Sequence, residues 1–382
     1  MRTLLTASRL LTPTEVIERP VVTIEDGIIA AVTPRSHASL PAGRHVDLGD
    51  ATLIPALFDV HIHGSGGHDA MEATDSALNH IGAFLARRGV GAYLATTVTA
   101  PLDTLLRSLS GLAKLMRAPL EGARPVGIHL EGPFLSPHKR GAHAESQLLT
   151  PSVGLFDRMW QAAEGNIRLM TIAHATQLGV RISLGHSNAE ADAAKRGVRA
   201  GAVSATHTYN AMRSFDHRNP GLLGEVLTND RLFAEIICDG LHVDPAAVRL
   251  YWKAKGPERA ILVTDAMAGT GMPDGNYMLG ELEVRVKNGR CVVGDDTLAG
   301  STLTLDQGVR NFAEFTGASL AETVALATRN PARMTGFDGE IGEIAVGRSA
   351  DLAVLSPQNE VIETFLRGVP CGMAAAPAGF NG

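Results

Sequence analysis

Aromatic residues are scarce, with Phe, Trp and Tyr together supplying 4% of the 382 residues. Cysteine is scarcer still. The three thiols, Cys238, Cys291 and Cys371, lie far apart and form no Cys-x-x-Cys pair. That excludes a disulfide framework and a cysteine-type zinc site, and it fits a reducing cytoplasm. Basic runs are missing as well: none exceeds two residues, the net charge is −6 and the pI is about 6.2. A chain of that charge lacks the electrostatic footprint of a nucleic-acid or acidic-membrane binder. No apolar stretch approaches the roughly 20 residues of a membrane span. Arg9 cuts the apolar run at Met1–Leu11 short and no small-residue cleavage site follows, so no secretory segment is read there. What remains is the composition of a globular protein. Hydrophobic residues make up 45%, which excludes disorder as the main state and is ample for a core. The 41 glycines point to many tight turns and close backbone approaches. The length admits two or three domains, or one large α/β barrel with an appendage.

Both ends of the chain read as short strands. Val21–Ile24 and Ile28–Val32 flank Glu25-Asp26-Gly27, a hairpin signal with Asp-Gly as its turn. Near the other end, Gly342–Ala345, Asp351–Leu355 and Val361–Leu366 repeat the pattern. The middle alternates. Apolar runs at Leu53–Val60, Val90–Thr97, Val126–Leu130, Ile167–Ile172, Val180–Leu184, Ala202–Ala205, Phe233–Ile237 and Ala260–Val263 are separated mostly by segments of helical spacing. These include Ser76–Arg87, Leu102–Arg117, Ser152–Ala163, Ala189–Ala200 and Pro245–Lys255. Runs apolar on both faces are what parallel strands covered on both sides require. The pattern predicts an α/β fold: a (β/α)8 TIM-like barrel over residues 53–340. A small β-sandwich domain is expected from both termini, 1–52 and 341–382. Tyr277–Val293 reads as an inserted hairpin around Asn288-Gly289, and helices are expected at Thr302–Phe315 and Ser319–Thr328.

Polar residues gather at the C-terminal ends of those strands. His61 and His63 end the first, Glu131 the third, His186 the fifth, His207 the sixth and Asp265 the eighth. In a (β/α)8 barrel these ends share one face, which holds the active site. His-x-His on a strand puts both imidazoles on one side, because the strand period is two. Imidazoles with a carboxylate suit a borderline divalent ion, Zn²⁺ or Fe²⁺. Such an ion lowers the pKa of a bound water toward ~7. Asp265 is then placed to take that water's proton and pass it to a leaving group. Each residue alone has an ordinary explanation. A lone His-x-His is more often incidental, Glu131-Gly132-Pro133 could be a turn, and Ser187 or Asn188 could cap a helix. Together, at equivalent strand ends, they outweigh those explanations. His129, inside the third strand, reads as a core histidine. His37, His45, His68, His80 and His217 read as surface or loop residues.

Six blocks occur in an order that resembles one family. They are Asp59-Val60-His61-Ile62-His63-Gly64, His129-Leu130-Glu131-Gly132-Pro133-Phe134, Gly185-His186-Ser187-Asn188-Ala189, His207-Thr208-Tyr209-Asn210-Ala211-Met212, Asp239-Gly240-Leu241-His242 and Leu262-Val263-Thr264-Asp265-Ala266. The chain resembles the N-acetylglucosamine-6-phosphate deacetylases of the amidohydrolase superfamily over nearly its whole length. The resemblance implies one required metal on Glu131, His186 and His207, with His61 and His63 matching a second-metal pair that only some members keep. It implies Asp265 as catalytic acid and base and His143 as the group polarising the acetyl carbonyl. Ala142, Asn210, Ala211 and the Leu298-Ala299-Gly300 turn would contact the sugar phosphate. Arg218 and His242 match phosphate ligands in a homodimer whose subunits share sites; without the resemblance, Arg218 is also readable as a solvated loop arginine. Three departures bear on the sugar pocket. Ala56 stands where the family usually has glycine, Ala173-His174-Ala175 where it usually has Ala-Pro-Glu, and Ala144–Gln147 lacks a usual proline.

The expected activity is therefore metal-dependent removal of the acetyl group from N-acetylglucosamine 6-phosphate, yielding acetate and the amino sugar phosphate, in the cytoplasm. The alternatives are the galactosamine epimer, another amidohydrolase acting on a small N-acyl substrate, and a metal-bearing sugar-phosphate binder without catalysis. Cyclic-amide hydrolases usually bridge their metals with a modified lysine, where this chain has Glu131. The intact Asp265 argues against the non-enzyme.

Overall fold

The computed structural model describes residues 2–12, 15–35, 42–172 and 180–372. Among them, eight parallel strands form one sheet in strict chain order: Leu57–Ile62, Val90–Thr97, Arg124–Glu131, Ile167–Ile172, Arg181–Leu184, Ser204–Ala205, Phe233–Ile237 and Ala260–Val263. Each neighbour pair is parallel. The sheet closes where the last strand meets the first. Asp265 N–H donates to the His61 carbonyl at 2.9 Å, His63 N–H donates to the Ala266 carbonyl at 2.8 Å, and Ile62 bridges Ala266. All eight expected strands are present, and the fold is the (β/α)8 barrel. Both Leu57–Ile62 and Val90–Thr97 are buried along their whole length, as strands covered on both faces must be.

Helices pack around the sheet. Asp75–Ala86, Leu102–Leu115, Val153–Ala162, Ala191–Arg199 and Pro245–Arg259 lie within a few residues of expectation. Local chemistry sets their starts. The Thr74 and Ser152 hydroxyls accept from the N–H groups of Ala77 and Leu155, and Asp244 accepts from Ala246 with Pro245 in the first turn. Ser319 and Glu322 form a reciprocal capping box on Leu320–Leu326. Gly221–Thr228 is a helix that the apolar spacing does not reveal. It begins at Gly221 with φ +62°, and its short pattern carries no side-chain cap.

The termini build two facing sheets, a four-stranded one from the N-terminal segment and a six-stranded one that mixes both ends. Between them lies a core that includes Leu5, Leu10, Val22, Leu53, Leu352, Val354 and Phe365. The Asp26-Gly27 turn is present with both residues at positive φ, 51° and 84°, as a type I′ hairpin needs. One expected strand is divided. Thr52–Pro55 pairs with Arg9–Leu11 and Leu352–Leu355 in the small domain, and the barrel strand starts only at Leu57. The apolar run is continuous, so hydropathy does not reveal that the chain changes sheets at Ala56. Gly342–Ala345 forms no strand, although Ile344 is buried in the sandwich core. Gly275–Leu279, Leu282–Lys287, Arg290–Val293 and Thr297–Leu298 form the antiparallel insertion that was expected as a hairpin.

Candidate active site

At the C-terminal mouth of the barrel is a cavity of about 160 Å³. Its floor carries His63, Glu131, His186, His207 and Asp265; its walls carry Ala142, His143, Asn210, Ala211, His242 and the Leu298–Gly300 turn. His61 lies behind the floor, fully buried. Of the expected site residues that the structure describes, Arg218 alone stays apart. It is exposed in the loop after the sixth strand, where its N–H donates to Asp216 Oδ1 at 2.9 Å. His174 and His37 lie outside the described residues.

Two sets of potential ligands meet on Glu131. Glu131, His186 and His207 present ligand atoms within 4.8 Å of one another, and so do His61, His63 and Asp265. Glu131 Oε1 is 3.2 Å from both His186 Nε2 and His207 Nε2, and Oε2 is 3.3 Å from His63 Nε2. His63 Nε2 is 3.2 Å from Asp265 Oδ1.

The donor chemistry fits a divalent ion. His186 Nδ1 donates to the Lys139 carbonyl at 3.0 Å, which leaves a lone pair on Nε2. That atom is 3.0 Å from His207 Nε2 and faces the carboxylate. His61 Nδ1 donates to Glu235 Oε2 at 3.2 Å, so its buried Nε2, with no hydrogen-bond partner among the described residues, also turns a lone pair inward. Lone pairs and carboxylate oxygens converging in a buried space need a cation between them. The charge balance agrees, because where no ion is bound protons on His61 and His63 supply the positive charge that the carboxylates demand, and a bound ion would displace them. Burial disfavours an imidazolium at His61, yet Glu131 and Asp265 outweigh it and raise its pKa well above the ordinary range. His63 is pushed up to about 9, its bonds to Asp265 and Glu131 overcoming burial. Burial opposes ionisation of Asp265, but His61 and His63 hold its carboxyl well below the usual range. His186 is lowered to about 4, chiefly by burial, so it is neutral as a ligand must be.

Backbone strain marks the same places. His186, His207 and Asp265 have φ of 44°, 26° and 53°, conformations that cost non-glycine residues energy. Neighbouring bonds hold them: Thr208 N–H to the Glu235 carbonyl at 2.7 Å, and Ser301 N–H to the Asp265 carbonyl at 2.7 Å. His143 is oriented by Thr99, whose N–H donates to Nδ1 at 3.2 Å while its hydroxyl lies 2.7 Å from the same atom. With Nδ1 accepting, the ring proton sits on Nε2, which lies 3.5 Å from Glu131 Oε2. His242 Nδ1 pairs with Asp239 Oδ2 at 2.7 Å. Burial works against its charged form, but Asp239 and then Asp265 raise its pKa, while Arg290 opposes. His129 is a core histidine, as expected. Its Nε2 bonds Thr171 Oγ1 at 2.8 Å, and burial drives its pKa well below the usual value.

Two buried carboxylates beside the site were not evident from the sequence. Asp59 is fully buried, and burial pushes its pKa up to about 7 against the bonds it accepts. Thr264 Oγ1 donates to it at 2.6 Å, which ties the first strand to the eighth beside Asp265. Glu235, in Phe233–Ile237, is fully buried behind His61. The available signal was a charged residue inside an otherwise apolar strand.

Comparisons with known proteins show the family and the fold. The amidohydrolase family profile matches residues 52–371. The chain is 37% identical to the N-acetylgalactosamine-6-phosphate deacetylase of Escherichia coli O157:H7, covering 96% of this chain and 99% of that one. It is 35% identical to the N-acetylglucosamine-6-phosphate deacetylase of Bacillus subtilis, covering 94% of each. It superposes with a TM-score of 0.90 on a Mycobacterium smegmatis N-acetyl-D-glucosamine-6-phosphate deacetylase mutant, solved in complex with N-acetyl-D-glucosamine-6-phosphate. Identity there is 37%, with 97% of this chain and 99% of that one covered. The chain belongs to the amidohydrolase family, and within it to the N-acetylglucosamine-6-phosphate deacetylases.

Proposed function

We propose that the protein hydrolyses the acetamide of N-acetylglucosamine 6-phosphate, releasing acetate and glucosamine 6-phosphate. The observation that carries this reading is the meeting of both ligand sets, Asp265 and His143 in one cavity. Glu131, His186 and His207 would hold the required ion and His61 and His63 a second, with Zn²⁺ or Fe²⁺ best suited to these donors. The ion supplies Lewis acidity, polarising the acetyl carbonyl and easing ionisation of a water near neutral pH.

The chain's own residues do the rest. Asp265, ionised, accepts the proton of the attacking water and later gives it to the departing amine. His143 donates through Nε2 to the oxygen on which charge develops. Ala142, Asn210, Ala211 and the Leu298–Gly300 turn shape the sugar pocket. His242 binds the phosphate. Arg218 reaches that phosphate from the second subunit of a homodimer, with the guanidinium fork that suits it. The absence of cysteine pairs supports a cytoplasmic setting, and no helix among the described residues is long and apolar enough to cross a membrane.

The galactosamine epimer is a second reading, since the Escherichia coli relative bears that name. A panel of N-acetylglucosamine and N-acetylgalactosamine, each with and without the 6-phosphate, tests both readings. Acetate release should be strong for the phosphorylated sugars and favour the gluco form. Preference for the galacto form would select the second reading, and equal rates without phosphate would contradict both.

A further inference from the structure

We propose that Glu235 is a positioning residue for the second ion: it fixes the His61 ring so that Nε2 can bind metal opposite Glu131. This rests on the two-ion reading above. Glu235 sits mid-strand in Phe233–Ile237 and is 0% exposed. A buried carboxylate among apolar residues is costly unless it is bonded. Its Oε2 takes His61 Nδ1–H at 3.2 Å and lies 3.4 Å from His207 N–H; Oε1 has no hydrogen-bond partner among the described residues. Its main-chain carbonyl accepts Thr208 N–H at 2.7 Å. One glutamate thus grips the His61 side chain and the backbone around His207, one histidine from each ligand set.

The consequence is chemical. A carboxylate oxygen accepting from Nδ1–H holds that proton in place and leaves Nε2 to face the ion. That atom lies 3.5 Å from Glu131 Oε1 and 3.6 Å from Asp265 Oδ1. A carboxylate behind a ligating imidazole also increases its basicity, and losing it typically weakens metal binding by ~10–100-fold. The effect should fall on the ion at His61 and His63. The His186 ring is oriented by the Lys139 carbonyl and Glu235 meets His207 only at its main chain, so the ion at Glu131, His186 and His207 should be affected less.

The test is titration of metal-free full-length protein with Co²⁺, following bound metal and visible absorption. Wild type should take up two ions. Glu235→Gln, which keeps the volume, should bind the second at least about 10-fold more weakly. On a His61→Asn background the same change should add nothing. If Glu235→Gln fails to fold, Glu235→Asp retains the charge but withdraws it from Nδ1, and the same loss is expected. Two ions bound with wild-type affinity by the variant overturn the inference alone. So does a lower melting temperature of the metal-free variant with unchanged second-ion affinity, which would make Glu235 only structural. A wild type that takes up a single ion overturns the two-ion reading and this inference with it.

Discussion

His242 shows how a neighbour sets what a side chain can do. Asp239 accepts its Nδ1–H through Oδ2, while Oδ1 accepts the N–H groups of Leu241 and His242 at 2.8 Å each. Asp239 holds the ring through Nδ1 at the cavity wall and, against the effect of burial, raises the imidazole's pKa above its ordinary value. A raised histidine pKa means that the pair's stabilisation is fully present below the unfolded value of about 6.5 and is lost as pH climbs through the folded value. Phosphate binding should follow the same direction. KM for the phosphorylated sugar should rise at alkaline pH, and Asp239→Asn should move that rise to lower pH. The unphosphorylated sugar should show neither effect. A KM profile unaltered by Asp239→Asn would remove His242 from phosphate recognition. The histidines proposed as ligands and Asp265 stand out in the sequence because each ends an apolar run. Asp59 and Glu235 do not, since they lie within the runs, where a carboxylate's purpose depends on partners 205 and 174 positions away.

The strands that carry the site were legible from hydropathy, because parallel strands buried on both faces leave long apolar runs. Their exact starts were not: Leu53–Val60 reads as one run yet serves two sheets. The strained backbone of His186, His207 and Asp265 was also invisible, since nothing in those residue types announces a positive φ. The antiparallel insertion contributes in a way its hairpin signal did not indicate. Its return segment delivers Leu298–Gly300 to the cavity and hydrogen-bonds Ser301 to Asp265. Gly300 has φ +66°, and a Cβ there would lie 3.1 Å from both the Asp265 carbonyl and Met267 Cβ. Gly300→Ala should therefore disturb Asp265 and lower kcat by about tenfold or more, a loss of ~1.4 kcal/mol in transition-state stabilisation. Its metal content should stay at the wild-type level. Steady-state kinetics beside metal analysis checks this, and an unchanged kcat would show that the turn is tolerant.

Barrel and sandwich together account for the chain's two kinds of hydrophobic pattern, and the shared six-stranded sheet explains why both ends read alike. Arg218 is the residue a single chain leaves without a role. It is exposed and outside the cavity, as a group that acts on a neighbouring subunit would be. Mixing Asp265→Asn with Arg218→Ala protein tests that. Each alone should be impaired, Asp265→Asn by at least ~10²-fold. After subunit exchange, one hybrid site regains both residues and activity should return. Exchange without recovery would place Arg218 in its own chain's chemistry or in none.

The central claim is that one buried cluster turns a divalent ion and Asp265 upon an acetamide. The most direct measurement is acetate release from N-acetylglucosamine 6-phosphate by chelator-stripped protein, before and after stoichiometric Zn²⁺ or Fe²⁺ is restored. Release should be negligible from the stripped protein and should recover once Glu131, His186 and His207 are refilled, with no recovery in Asp265→Asn. Full-rate release from protein shown by elemental analysis to be free of metal would contradict the claim.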